Sequence, residues 1–466
     1  MKTLEKILYL LLYFNGLDRK GLLLALNEVT EVGVYQSIAL ALKKDLIAEK
    51  RALYYRDNRR YNLSVFTITS EGIMYLLNND EVCDLYPWIN DMDLPEGRIS
   101  VLGERGVSTN GREIMKYTRN VTAAIMAQKI GAKVNPMYFD FSDFEGLLRY
   151  YRVTGKLGLT LSDYEKLYAD DEEENEQDLS INLKHTYRLS RYVMNSYLLH
   201  ETVLKNQKQD ITENDSEKIV FLNSSEVRNI FLENVYGRET RSSEINNKVV
   251  QARTGQMSGL LDVGDHVMIV FAEPPFGMSW IGKDTTSPDL VMYRDYLRHV
   301  HPNITTSFIS EEPKGVLIVR NHEEFQRNFD DIYKRRNAKE PYSLGDGLKS
   351  FYMIPADRNG IDQLQMVIHV NDDEEERRII EWGLENDLER PDISDINMHC
   401  FCLYDQDDDS YIFYGVLMDI VKMNALAKAI QAYPELKVKI FCYKWQEPYY
   451  QKLFPNAETI PPTEEE

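Results

Sequence analysis

The sequence predicts an α/β chain of the α+β kind, with a small helix-rich module at its start and a mixed-sheet region after it. Three observations carry this. Apolar residues recur at helical spacing over residues 3–44; two runs rich in tyrosine and β-branched residues follow, joined by a short basic turn; and from residue 218 onward short apolar runs alternate with amphipathic ones. The 466 residues and 43% hydrophobic content suit roughly two to four domains with ordinary buried cores.

The first helix is read from Leu4, Ile7, Leu8, Leu11 and Leu12, which share one face. Gly16 ends it, and a second helix over about Arg19 to Asn27 buries Leu22, Leu23 and Leu26. Thr30 is the expected N-cap of a third helix running to about Lys44, with Glu31 in the first turn where the helix dipole favours a carboxylate. Val34, Ile38, Ala41 and Leu42 form its inward stripe, leaving Tyr35, Gln36, Ser37 and Lys43 on or near the outer side. "LIAEKRALYY" and "RRYNLSVFTIT", joined by "RDN", read as a β-hairpin, and "TSEG" opens a fourth helix capped by Thr69 or Ser70.

Helix, helix, helix, strand, basic turn, strand, helix is the order of a winged helix-turn-helix, expected over residues 1–80. Charge is distributed to match. The net charge is −21, yet residues 1–80 hold 11 Lys and Arg against 9 Asp and Glu, and five of those cations fall between Lys50 and Arg60. An acidic remainder repels nucleic acid and keeps a chain dispersed. Double-stranded DNA is therefore the expected partner of the amino end, with a protein partner or a homodimer assigned to the acidic body. In such a module the second helix of the pair enters the major groove while the hairpin touches backbone or minor groove. Thr30, Tyr35, Gln36, Ser37 and Lys43 are the helix candidates. Arg51, Arg56, Arg59 and Arg60 are the phosphate-contact candidates, and Tyr54, Tyr55 and Tyr61 offer flat amphipathic contacts. "LKKDLIAEKR" and "FTITSEGIMYLL" resemble winged-helix proteins of the PadR and MarR kind, a resemblance that implies DNA binding. The competing reading is a winged helix that docks protein, with Arg56, Arg59 and Arg60 paired to carboxylates.

Residues 81–215 read as a mainly helical linker region. A helix is expected over Glu113 to Lys129, and "DDEEENEQD" and "KNQKQDITENDSE" are solvated loops, since adjacent like charges cannot be packed together. Over 216–340 the order helix, three strands, helix, strand matches a restriction-endonuclease-like core. That resemblance implies an Asp on the second strand and an acid-x-Lys on the third, holding Mg²⁺ to activate water. Asp265 falls at the first place and Lys283 at the last, but Ile281 stands where the acid belongs; Glu273 substitutes only in another register. The expectation is a degenerate core with no catalytic role and no cofactor, with a metal-dependent nuclease as the alternative. Arg253 beside Gly255 is read as a surface residue, with phosphate binding as the lesser reading.

Residues 341–466 read as a C-terminal α/β domain with an acidic tail, in which hairpin, helix, strand, helix occurs as it does from Gly255. "DQDDDS" lacks the Gly and distal Glu of a calcium loop and reads as a hairpin turn. Cys400 and Cys402 are read as packing residues, and four cysteines make no disulfide framework, which suits a reducing cytoplasm. "MKTLEKILYLLLYFNG" reads as a helix rather than a signal peptide, because Glu5 sits in the would-be charged region and no small-residue cleavage site follows. No run approaches the ~20 apolar residues of a membrane span. Phosphate-binding, dinucleotide and zinc-protease motifs are absent from the sequence. With "SSEVRNIF" and "YMIPADRNG", the element order resembles replication-relaxation and conjugation-accessory proteins of Gram-positive mobile elements. The resemblance implies a non-catalytic DNA-binding role in replication, transfer or transcriptional control.

Overall fold

Asp18, Thr30, Thr69 and Asp357 each precede a helix, and each uses a side-chain oxygen to take up a backbone N–H that the first turn leaves without a partner. The computed structural model describes residues 1–14, 16–56, 59–85, 111–134, 219–224, 226–228, 231, 256–264, 266–272, 288–300, 313–320, 348–370, 372–391, 395 and 398–460. The chain combines helices with mixed sheets. It divides into two units, one of residues 1–128 and 132–254, the other of 129–131 and 255–466.

The first unit begins with α1 (Thr3–Tyr13), α2 (Arg19–Ala25) and α3 (Glu31–Lys43), followed by the hairpin β1 (Ile47–Arg56) and β2 (Arg59–Ile68). Ile7, Leu8, Leu11 and Leu12 of α1 are fully buried. Val34, Ile38 and Ala41 form the buried stripe of α3, as their spacing predicts. Between α1 and α2 the chain turns at Gly16, whose φ of +116° lies in the region that side chains disfavour. That turn lets Leu17 pair antiparallel with Phe66, as a one-residue third strand beside β2. The hairpin register runs from Ile47 opposite Ile68 to Arg56 opposite Arg59. Then come α4 (Ser70–Leu77), α5 (Asp80–Leu85), α6 (Gly111–Lys129) and the parallel pair β3 (Lys133–Val134) and β4 (Val220–Asn223).

Tertiary contacts carry this module past residue 80. Ile114 of α6 packs with Val65 and Leu63 of β2, the Tyr117 hydroxyl donates to the Phe14 carbonyl, and the Tyr13 hydroxyl donates to the Val134 carbonyl at 2.5 Å.

In the second unit β5 (Gly259–Asp262) pairs antiparallel with β6 (Val267–Ala272), and β6, β7 (Lys314–Val319) and β8 (Phe351–Pro355) run parallel, with α7 (Pro288–Val300) between β6 and β7. Every residue of β6 and β8 is buried, the mark of strands covered on both faces. After β8 come α8 (Arg358–His369) and α9 (Asp372–Glu385). A second sheet repeats the first one's pairing: β9 (Leu403–Asp405) antiparallel to β10 (Ser410–Tyr414), then β11 (Val438–Phe441) and β12 (Glu458–Ile460) parallel in turn, with α10 (Ile420–Ala432) and α11 (Glu447–Leu453) between them. The closing helix of the first expected succession lies outside the described residues, while the two sets of four strands share the same strand senses. Asp419 joins them: its Oδ1 accepts from Phe351 N–H at 3.1 Å and from Val421 N–H at 2.9 Å.

β6 has β5 on one side and β7 on the other. The third strand of the expected nuclease-like order, "GMSWIG", is not among the described residues, nor are the two acidic loops. The cysteines are all free thiols, with Cys400 half-buried and the other three buried. No helix among the described residues is long and apolar enough to cross a membrane.

Candidate functional site

The face of α3 opposite its buried stripe is exposed at Val32, Tyr35, Gln36, Ala39, Leu40 and Lys43. Its composition is unusual for a solvated face: Val32 is 63% exposed and Leu40 42%. Ser37 lies at the flank and is half-buried. Thr30 is exposed and serves as the cap, its Oγ1 accepting from Gly33 N–H at 3.3 Å.

Tyr35 is held in place from two sides. Its hydroxyl donates to Glu31 Oε1 at 2.5 Å, and the Arg19 guanidinium lies over its ring, 5.6 Å from the centroid. The hydrogen bond to Glu31 raises the Tyr35 pKa. Arg19 opens α2, so this contact brings a cation from the start of α2 onto the outer face of α3.

The hairpin carries an ion pair of its own, between Arg51 and Glu49. Arg51 donates to Glu49 Oε2 at 2.7 Å and holds that carboxyl below the usual carboxylate range, with the Ser64 hydroxyl and the charge of Arg19 acting in the same direction. Directly opposed residues of an antiparallel pair share a face, and alternate residues along a strand share it too. Glu49, Arg51, Leu53 and Tyr55 therefore fall in one row with Ser64, Asn62 and Arg60. Lys50, Ala52, Tyr54 and Arg56 fall in the other row, with Val65, Leu63, Tyr61 and Arg59. Val65 and Leu63 of the second row meet Ile114 of α6. Of the hairpin candidates, Arg51 falls in the first row with its side chain described, whereas for Tyr54, Tyr55, Arg56, Arg59, Arg60 and Tyr61 only the strand register is described.

Arg19 is an exposed member of this surface that sequence reasoning missed, and Lys20 is exposed next to it in sequence. Their only sequence signal was a basic pair following the capping Asp18. Lys44 was missed as well; it is exposed beside Lys43. Lys20, Lys43 and Lys44 form no ion pair among the described residues.

The nuclease candidates Asp265, Glu273 and Lys283 lie outside the described residues, as does Arg253. Their neighbour Asp262 is buried in a structural role: it accepts from Gly264 N–H at 2.9 Å and from the Tyr296 hydroxyl at 2.6 Å. Among the described residues no group of three or more His, Cys, Asp and Glu is placed to hold a metal. "DQDDDS" is the β9–β10 turn, and Lys439 Nζ sits among its carboxylates, 2.9 Å from Asp405 and also bonded to Asp408. A lysine there takes up the charge that a cation site would require. Comparison with family models, with curated proteins and with solved structures finds no match.

Proposed function

We propose that the first unit binds double-stranded DNA as a winged helix-turn-helix, with α3 in the major groove, the β1–β2 hairpin as the wing, and no covalent chemistry. The observation that carries this reading is the Arg19 guanidinium over the Tyr35 ring, which joins the amino end of α2 to the outer face of α3. Exposed cations stand at Arg19 and Lys20 on α2, at Lys43 and Lys44 at the end of α3, and at Arg51 on β1, whose side chain is 77% exposed despite its bond to Glu49. Phosphate contact at those points positions a protein on a duplex without specifying sequence. The resemblance to replication-relaxation and conjugation-accessory proteins supplies the biological setting: control of replication, transfer or transcription on a mobile element.

The test is fluorescence anisotropy of a labelled duplex titrated with the full chain over a series of salt concentrations. Counterion release predicts that log K falls linearly with log salt, with a slope near −0.9 for each phosphate neutralised. Reversing Lys20, Lys43 and Arg51 together to Glu should flatten that slope by about 3 and weaken binding to every duplex alike. Affinity that ignores both salt and these reversals would refute the reading.

A further inference from the structure

Resting on that DNA-binding reading, we infer that α3 selects A·T-rich sites by apolar contact with thymine methyl groups, and that Val32, Gln36 and Ala39 are the specificity-determining residues. The residues at steps of four, three and four along the exposed face are Val32, Gln36, Ala39 and Lys43. From Glu31 to Leu42 the helix carries no Arg or Lys, the side chains that read the guanine O6 and N7 acceptors. What it offers instead is Val32 and Ala39, whose methyl groups match the thymine C5-methyl, and Gln36 between them, whose amide matches the N6 and N7 of adenine. Glu31 is the one side chain suited to a cytosine amino group, and its Oε1 is already bonded to Tyr35.

The cationic border argues for a duplex over a second copy of this chain. In an antiparallel twofold pairing of two α3 helices, Val32 would face Lys43 and Gln36 would face Ala39. That arrangement buries a lysine and an amide without partners and sets Arg19, Lys20 and Lys44 of both copies near one another. Against DNA the same cations meet phosphate.

The experiment uses the full chain and four labelled duplexes of about 20 base pairs, equal in length and charge. One has an A·T core; the second replaces its core thymines by uracil, which removes only the methyl groups; the third has a G·C core; the fourth carries 5-methylcytosine in that core. The A·T duplex should bind best. Uracil should weaken it about 4-fold for each methyl contacted, and 5-methylcytosine should recover part of the loss of the G·C duplex. Val32→Ser, at a position too exposed to disturb the core, and Ala39→Ser should each reduce the thymine-to-uracil difference and leave the salt slope unchanged. Equal, salt-dependent binding to all four duplexes overturns this inference while leaving the DNA-binding reading intact. Binding to none of them at low salt overturns both. A dimer in sedimentation that Val32→Asp dissociates, with no duplex bound, assigns the α3 face to a second copy and also overturns both.

Discussion

Gly72 and Gly33 give the sharpest contrast for a test of packing, because they hold the same place in the same local motif. Each is the third helical residue after a capping threonine, and each donates its N–H to that threonine, at 3.1 Å from Gly72 and 3.3 Å from Gly33. A methyl added at Gly33 would meet Thr30 Oγ1 at 3.2 Å and a Val29 methyl at 3.4 Å, both side-chain atoms able to give way. At Gly72 it would lie 2.1 Å from the Leu46 carbonyl oxygen and 2.7 Å from Ile68 Cγ1. The chain would have to move by about 0.9 Å to reach the 3.0 Å that real contacts require. The same carbonyl accepts Thr69 N–H at 3.1 Å, so the movement also loosens the joint between the base of the hairpin and α4. Alanine in place of a helical glycine gains about 1 kcal/mol, whereas overpacking costs roughly 1–3 kcal/mol and a weakened hydrogen bond about 1 kcal/mol more. The net for Gly72→Ala is a loss of roughly 1–3 kcal/mol, against no change or a gain of up to about 1 kcal/mol for Gly33→Ala. Hydrogen exchange read by mass spectrometry over peptides spanning residues 46–77 suits a chain of two units, since it needs no single global transition. Protection there should fall about 5- to 150-fold in Gly72→Ala and hold or rise in Gly33→Ala. If the two substitutions shift protection in the same direction by the same amount, the packing argument is wrong.

Gly360→Ala should loosen β8 and α8 in the same assay, because its methyl would stand 1.7 Å from the Pro355 carbonyl oxygen. Tyr450→Phe removes a fully buried hydroxyl that donates to the Gly415 carbonyl at 2.6 Å, and should cost about 1–2 kcal/mol in local protection around β10 and β11. Lys439 bonded to Asp405 holds that carboxyl below the ordinary aspartate value. The stabilisation it gives the β9–β10 turn is complete above about pH 4 and fades as the pH falls through the lower folded value. Exchange corrected for intrinsic rate should rise with acid in the parent chain, and Lys439→Met should abolish that acid step. Burial pushes the Cys400 and Cys442 thiols up to about 12. Neither should react with iodoacetamide in the native chain near neutral pH, and both should react once it is denatured, as mass spectrometry of the peptides would show.

Helix positions were legible in the sequence because they follow from neighbours a few residues apart. The stripe of Val34, Ile38 and Ala41 and the caps at Thr30 and Thr69 all appear where local spacing and side-chain chemistry put them. So does the hairpin, whose alternating aromatic and β-branched runs bracket a polar turn. The surface around α3 was legible only in part. The outward position of Tyr35, Gln36 and Lys43 follows from helical period, but periodicity records which side of an element faces inward and not what lies beside it. Arg19 carried no such signal, since its approach to Tyr35 depends on how α2 and α3 cross.

The sequence by itself determined the helices and their caps, the hairpin and its charge, and the inner and outer faces of α3, all consequences of chemistry between residues close in the chain. The tertiary structure alone decided that Arg19 lies over Tyr35 on the α3 face, that Leu17 pairs with Phe66, and that α6 belongs with the first module. It also decided that Lys439 occupies the acidic turn and that Gly72, unlike Gly33, has no room for a methyl. Each of these rests on atoms brought within a few ångströms by segments far apart in sequence, and a repeating pattern along one segment holds no record of the other.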